Sequence, residues 1–94
     1  MGLLFEWDED KSRNNLEKHS VSFDEATTIF GDPLSLTIDD PGHSTREPRW
    51  VTLGHSAKHR LLAVVHTDRG GRIRIISARM ATRHERGTYE EGEA

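Results

Sequence analysis

Cysteine is absent from the 94 residues, which excludes a disulfide framework, a thiolate metal site and a cysteine nucleophile. No stretch approaches the ~18 apolar residues of a membrane span, and the first residues lack the basic-then-apolar pattern of a secretion signal. A soluble, cytoplasmic protein without a membrane partner is therefore expected. Aromatic residues make up only 6% and hydrophobic residues 33%, and the mean hydropathy is -0.73. A single domain of this length with a thin core follows, burying only roughly 60 to 65% of its surface. Several chemical motifs are missing too. The six histidines include no H-E-x-x-H pair, and His55 and His59 flank a turn without carboxylates nearby, so no metal is expected. Gly70-Gly71 joins strand to strand and offers no helix N-terminus to a phosphate, no serine lies in an elbow sequence, and no cofactor is expected.

What is present is pattern. Leu61 to Thr67 and Arg72 to Ser77 are dense in aliphatic residues and are separated by Asp68-Arg69-Gly70-Gly71, where two glycines permit the positive φ of a tight reversal; this reads as a β-hairpin with a loop of two or four residues. Alternation puts Leu62, Val64, His66, Ile73 and Ile75 on one face, the core face. Leu61, Val65, Thr67, Arg72, Arg74 and Ile76 fall on the other, the arginine face. Guanidinium groups in the middle of a sheet need water, a carboxylate or a bound anion.

Before the hairpin, Leu3 to Trp7 form a short apolar lead-in, an edge strand or a plug. Asp8 has the character of an N-cap for a polar helix over about Glu9 to Lys18, with Glu9 and Asp10 in its first turn; its apolar stripe is essentially Leu16 alone, so packing of Trp7 and Val21 beside it must anchor it. Ser22 and Glu25 have capping-box spacing, ahead of a helix that buries Phe23, Ala26, Ile29 and Phe30 and stops at Gly31-Asp32-Pro33. Leu34 to Ile38 alternates as a strand, Asp39-Asp40-Pro41-Gly42 is a turn signal, and Arg49 to His55 resumes strand composition. Thr82 and Glu85 repeat the capping-box spacing before a short helix from Arg83 to Glu91. The predicted order is α-α-β-β-β-β-α. Short connections imply a four-stranded antiparallel sheet, covered on one face by the helices in an α+β fold.

Charge is divided unevenly. Up to Gly42, three basic residues stand against ten acids, a balance of -7; from His43 onward, ten basic residues against six acids give +4. Of those ten basic residues, nine are arginine, the side chain whose planar donor fork suits phosphate. A local basic surface binds nucleic acid even on an acidic chain; solvated arginines are the plainer account. Cleavage of RNA needs little equipment: a base for the 2′-hydroxyl, donors for the phosphorane and an acid for the 5′-oxygen. Arg74 in mid-strand and Arg79 at the strand's exit are candidate phosphate clamps. Arginine is too weak an acid to serve as the base, leaving Glu47, His66 or Tyr89 for proton transfer. Each has a simpler alternative role: a hydrogen-bonded core histidine for His66, an ion pair with a neighbouring arginine for Glu47, and docking of the last helix for Tyr89. Arg49, Arg72 and Arg83 are further candidates for contact with RNA.

Phe5-Glu6-Trp7-Asp8, Asn15-Leu-Glu-Lys-His19, Val21-Ser-Phe-Asp-Glu-Ala26 and Phe30-Gly-Asp-Pro33 resemble the N-terminal half of the BrnT-type toxins of bacterial toxin-antitoxin modules. The second half matches through His43-Ser44 with Glu47, Arg60 to Thr67, Ile73-Arg-Ile-Ile-Ser-Ala-Arg79, Ala81-Thr82, Glu85-Arg86 and Tyr89-Glu90. The resemblance implies a RelE-like fold, metal-independent cleavage of RNA, and arrest of translation and growth. It also implies a BrnA-type antitoxin with a ribbon-helix-helix module, through which the complex would bind operator DNA. Carried over residue by residue, Arg74 and Arg79 are the best catalytic positions, Glu47 and His66 are motif-matched candidates, and Arg83 and Tyr89 are weaker ones. Met80 stands where the resemblance leads us to expect a basic residue, removing one phosphate contact. The alternative is a toxin-like module that binds an antitoxin without cleaving RNA.

Overall fold

The computed structural model describes residues 2–40 and 47–92. In chain order they form β1 (Phe5–Glu6), α1 (Glu9–His19) and α2 (Phe23–Thr27), which runs into a 3-10 turn (Thr28–Gly31). Then come β2 (Leu36–Asp39), β3 (Trp50–His55), β4 (Leu61–Arg69), β5 (Arg72–Met80) and α3 (Arg83–Gly92). The Pro41-Gly42 turn signal and His43-Ser44 lie outside the described residues.

The hairpin forms as its glycines dictate, with the loop resolved to two residues: Gly70 and Gly71 take φ +58 and +82, the left-handed values that such a reversal requires. The sheet has five strands in the order β1-β5-β4-β3-β2, not four. β1 is the addition, and it pairs parallel with β5, Phe5 opposite Ile73 and Glu6 opposite Arg74, so the purely antiparallel expectation is corrected to a mixed sheet. Short connections govern only consecutive strands, whereas β1 returns to its partner across both helices and three strands.

The helices also divide between the faces. α1, α2 and the 3-10 turn cover the core face, where Val21, Phe23, Ala26 and Ile29 pack on Leu62, Val64, Ile75 and Ala78. α3 lies on the opposite face, where Tyr89 closes a smaller cluster with Val51, Leu53, Leu61 and Ala63. The two N-terminal helices share one face as expected, but α3 does not join them: β3 and β4 carry apolar residues on both sides, and the second side also needs a cover.

α1 starts where Asp8 caps it, accepting from the N–H groups of Asp10 and Lys11. Leu16, its thin apolar stripe, is 51% exposed, and the expected anchors beside the helix hold: Val21 is fully buried in the core and Trp7 packs against it. Within the helix, Asn15 is buried; its amide donates to the carbonyls of Val21 (2.9 Å) and Ala78 (2.8 Å) and accepts from the Ala78 N–H (3.1 Å). Beyond the two residues paired with β1, the edge of β5 has free backbone groups, and Asn15 satisfies a donor and an acceptor there as a neighbouring strand would.

Ser22 caps α2 by accepting from the Glu25 N–H, but the Glu25 carboxylate does not complete the box. It is buried against Arg60, which binds both of its oxygens, and Ser56, whose hydroxyl donates to it at 2.7 Å. Arg60 also reaches the Ser20 carbonyl, tying the α1–α2 junction to the start of β4.

β3 passes close beneath the 3-10 turn at Gly54. A Cβ there would lie 3.1 Å from the Ile29 carbonyl oxygen and 3.2 Å from the Ile29 Cβ. Gly54→Val is accordingly expected to lower unfolding stability in urea by about 1 to 3 kcal/mol through overpacking; an unchanged midpoint would show that this crossing has slack.

Candidate nucleic-acid interface

The register of the hairpin decides which residues can act together. Val65 stands opposite Ser77 but His66 stands opposite Ile75, so Ile76 is an extra, unpaired residue, a β-bulge. It reverses the alternation of β5 beyond that point, and Ile76 does not simply continue the arginine face as the unbroken pattern predicts. Arg74 lies opposite Thr67 and Arg79 opposite Ala63, which packs in the α3 cluster. Residues five apart on a regular strand point to opposite faces. The bulge brings Arg74 and Arg79 onto the same one.

Each of these arginines holds a carboxylate. Arg74 Nη1 lies 2.9 Å from Glu6 Oε2, the parallel pairing of β1 with β5 having set the two residues side by side. Arg79 grips Glu85 with two bonds, 2.7 and 3.0 Å, the two-pronged geometry that a phosphate also accepts. The Arg79 bonds hold the Glu85 carboxyl below its usual range, and Glu85 in turn raises Arg79. Glu85 also closes the predicted capping box of α3, exchanging bonds with Thr82 in both directions. Sequence spacing marked Glu85 as a cap but gave no sign that it would reach Arg79. Glu6 as the partner of Arg74 was missed entirely, since 68 residues separate the two.

Near the hairpin turn, Glu47 lies 3.3 Å from Arg69, and Thr67 donates to the Pro48 carbonyl at 2.7 Å, fastening this segment beside Arg74. Arg72, opposite Arg69, is exposed, and Arg49 directly precedes β3 at the position that alternation gives to the arginine face. Glu47, Arg49, Arg72, Arg74 and Arg79 therefore share one side of the sheet. The remaining site residues go elsewhere. Arg83 is exposed at the start of α3. Tyr89 is 2% exposed and donates to Asp32 at 2.7 Å, with His55 Nδ1 at 3.2 Å from its hydroxyl, an anchor for α3. Burial alone would raise the Asp32 carboxyl, but donors from His55, Tyr89 and Leu34 outweigh it and lower the pKa.

His66 faces the core. Its ring stands edge-on to Phe30 and its Nε2 is 2.7 Å from the Thr52 hydroxyl, while Nδ1 is buried without a partner among the described residues. Burial pushes its pKa below the ordinary 6.5. Below pH 6.5 the unfolded chain takes up a proton that the folded one resists, so stability falls as pH drops toward the lower folded value, by at most about 1.4 kcal/mol per pH unit. A second loss begins below about 4.5, the ordinary value of Glu25 and Glu85, whose carboxylates are held ionised by Arg60 and Arg79. Melting temperatures should decline between pH 7 and 5.5, and His66→Gln should remove that first decline; an identical slope in the variant would contradict the assignment.

No helix among the described residues is long and apolar enough to cross a membrane. In comparison with known proteins, residues 7–85 match the family described as the ribonuclease toxin, BrnT, of type II toxin-antitoxin systems. The fold is similar to that in the 1.1 Å crystal structure of the Brucella abortus ribonuclease toxin BrnT, with a TM-score of 0.66 and 20% identity over 87% of this chain and 100% of that one. No curated protein sequence matches significantly.

Proposed function

Because the chain belongs to the BrnT ribonuclease toxin family of type II toxin-antitoxin systems, we propose that it cleaves RNA without a metal ion, on the arginine face of the sheet. Arg74 and Arg79 bind the scissile phosphate, and Arg49 and Arg72 hold the flanking backbone. The ribose 2′-hydroxyl attacks phosphorus, the bond to the 5′-oxygen breaks, and a 2′,3′-cyclic phosphate and a 5′-hydroxyl result. Glu47, paired with Arg69 on this side of the sheet, takes the 2′ proton, and solvent water protonates the departing 5′-oxygen. His66, with its ring sealed in the core, supports β3 through Thr52, and Tyr89 supports α3. Arg83, exposed at the head of α3, is an outlying contact for the RNA chain.

The observation that carries this reading is the bulge, which sets two arginines of a ribonuclease-family chain on one surface. Their present partners do not block it. Arg79 and Arg74 are 35% and 26% exposed and their partners Glu85 and Glu6 17% and 28%, so both guanidinium groups remain reachable from solvent at the edge of a partly buried pair. A phosphorane carries more negative charge than a carboxylate and displaces it when it forms. The same pairs favour the competing reading, in which the arginines are structural and the chain is a binding module.

In the cell, the proposed partner is a BrnA-type ribbon-helix-helix antitoxin that neutralises the cleavage and carries the complex to operator DNA. Expression of the chain alone should arrest translation and growth, and co-expression of the neighbouring gene product should restore both. Normal growth at full expression of folded protein would support the binding module instead.

A further inference from the structure

A second cluster of cations lies beside α1, away from the arginine face. α1 and the bulge of β5 border an open groove with about 200 Å³ of space, lined by Lys11, Asn14, Asn15, Lys18, His19, Ile76 and Ser77. No carboxylate among the described residues lines it. Among the described residues, neither lysine nor His19 makes a side-chain hydrogen bond or an ion pair, whereas Arg13, Arg60, Arg69, Arg74 and Arg79 are each paired with an acid.

Folding fixes this arrangement from both sides. Lys11 and Lys18 stand two helical turns apart, and Asn14 and Asn15 between them complete one side of α1. Asn15 is held to the Ala78 backbone and so forms a rigid wall. The bulge leaves Ile76 unpaired beside the helix, while Ser77, opposite Val65, lies at the rim on the side of the sheet that carries Arg79, its hydroxyl without a partner among the described residues. The result is two ammonium groups, an imidazole and two amides along an open groove that has room for a phosphate with its sugar, with Ser77 at the rim nearest Arg79.

The geometry points to a second phosphate-binding site for single-stranded RNA in this groove, contacted by Lys11, Lys18, His19 and Ser77. Ser77 lies two residues, about 7 Å of strand, from Arg79. RNA crossing the open edge of β5 would thus have one phosphate in the groove and a neighbouring one on the arginine face. An acidic peptide fits less well, because a docked helix or strand needs an apolar track and Ile76 is the only aliphatic residue in the lining. The inference deepens the ribonuclease reading and rests on it for the identity of the ligand.

The test is fluorescence anisotropy with a labelled 2′-O-methyl oligonucleotide, which binds but cannot be cleaved, across a salt series. Lys11→Ala/Lys18→Ala should weaken binding by about 10-fold or more at moderate salt and reduce the slope of log K against log salt by roughly 1.4, two single-strand phosphate contacts. Lys58→Ala, an exposed lysine outside the groove, should change neither. Ser77→Ala, which removes no charge, should weaken binding with the slope intact. Unchanged affinity and slope in the folded double variant would overturn the site. So would inorganic phosphate binding the groove as tightly as the oligonucleotide, or a double variant that loses the antitoxin while keeping RNA. Oligonucleotide binding that depends on the lysines, together with intact natural RNA, would sink the nuclease reading and leave the groove standing. Cleavage with lysine-independent binding would do the reverse.

Discussion

Alanine at Arg79 or Arg74 should lower RNA cleavage by roughly 100- to 1,000-fold, the cost of removing one donor from a developing oxyanion, while shifting stability by about 1 kcal/mol or less. The second half of that expectation comes from what remains after truncation: Glu6 is 28% exposed and reaches water, and Glu85, 17% exposed, keeps the Thr82 N–H. Lysine at position 79 should recover only part of the loss, because an ammonium cannot reproduce the two-pronged grip seen on Glu85. Rates measured on variants with matched melting curves would separate chemistry from folding. A full rate in Arg79→Ala would leave the arginine as nothing more than the Glu85 partner.

Arg60→Ala should do the opposite, unfolding the protein without touching the proposed surface. The Glu25 side chain is 2% exposed, and without Arg60 its carboxylate keeps only the Ser56 hydroxyl. Removing one member of a buried pair costs about 3 to 5 kcal/mol because the other charge is stranded. For a domain of this size that corresponds to a melting temperature lowered by roughly 12 °C or more. Replacing both residues together, as in Glu25→Leu/Arg60→Met, should recover much of the loss, since no buried charge remains. If the single and double variants melt alike, the pair is incidental and the junction of α1, α2 and β4 is held by packing alone.

These two arginines show what the sequence revealed and what it concealed. Arg74 was legible because an alternating aliphatic strand with a cation in mid-run is unusual. That Arg79 joins it was not legible, because the bulge at Ile76 interrupts a run of aliphatic residues with no glycine or proline to mark it. Capping boxes were read correctly as helix starts at Ser22 and Thr82, yet both glutamates also hold arginines far along the chain, Arg60 and Arg79. Local spacing is blind to such pairings. The same limit hid the partner of β1, a segment legible as an edge strand or a plug, whose two residues pair with a strand almost seventy positions later, and the buried Asn15 that ties α1 to a sheet edge. Elements made by neighbours in sequence were visible; contacts that depend on register across the sheet were not.

The central claim is that this fold cleaves RNA with arginines alone holding the phosphate. The most direct test incubates purified, verifiably folded chain with RNA in excess EDTA and examines the product ends. Fragments ending in 2′,3′-cyclic phosphate and 5′-hydroxyl, absent with the Arg74→Ala/Arg79→Ala variant, are the predicted result. Cleavage abolished by EDTA and restored by a divalent ion, or intact RNA throughout, would contradict it.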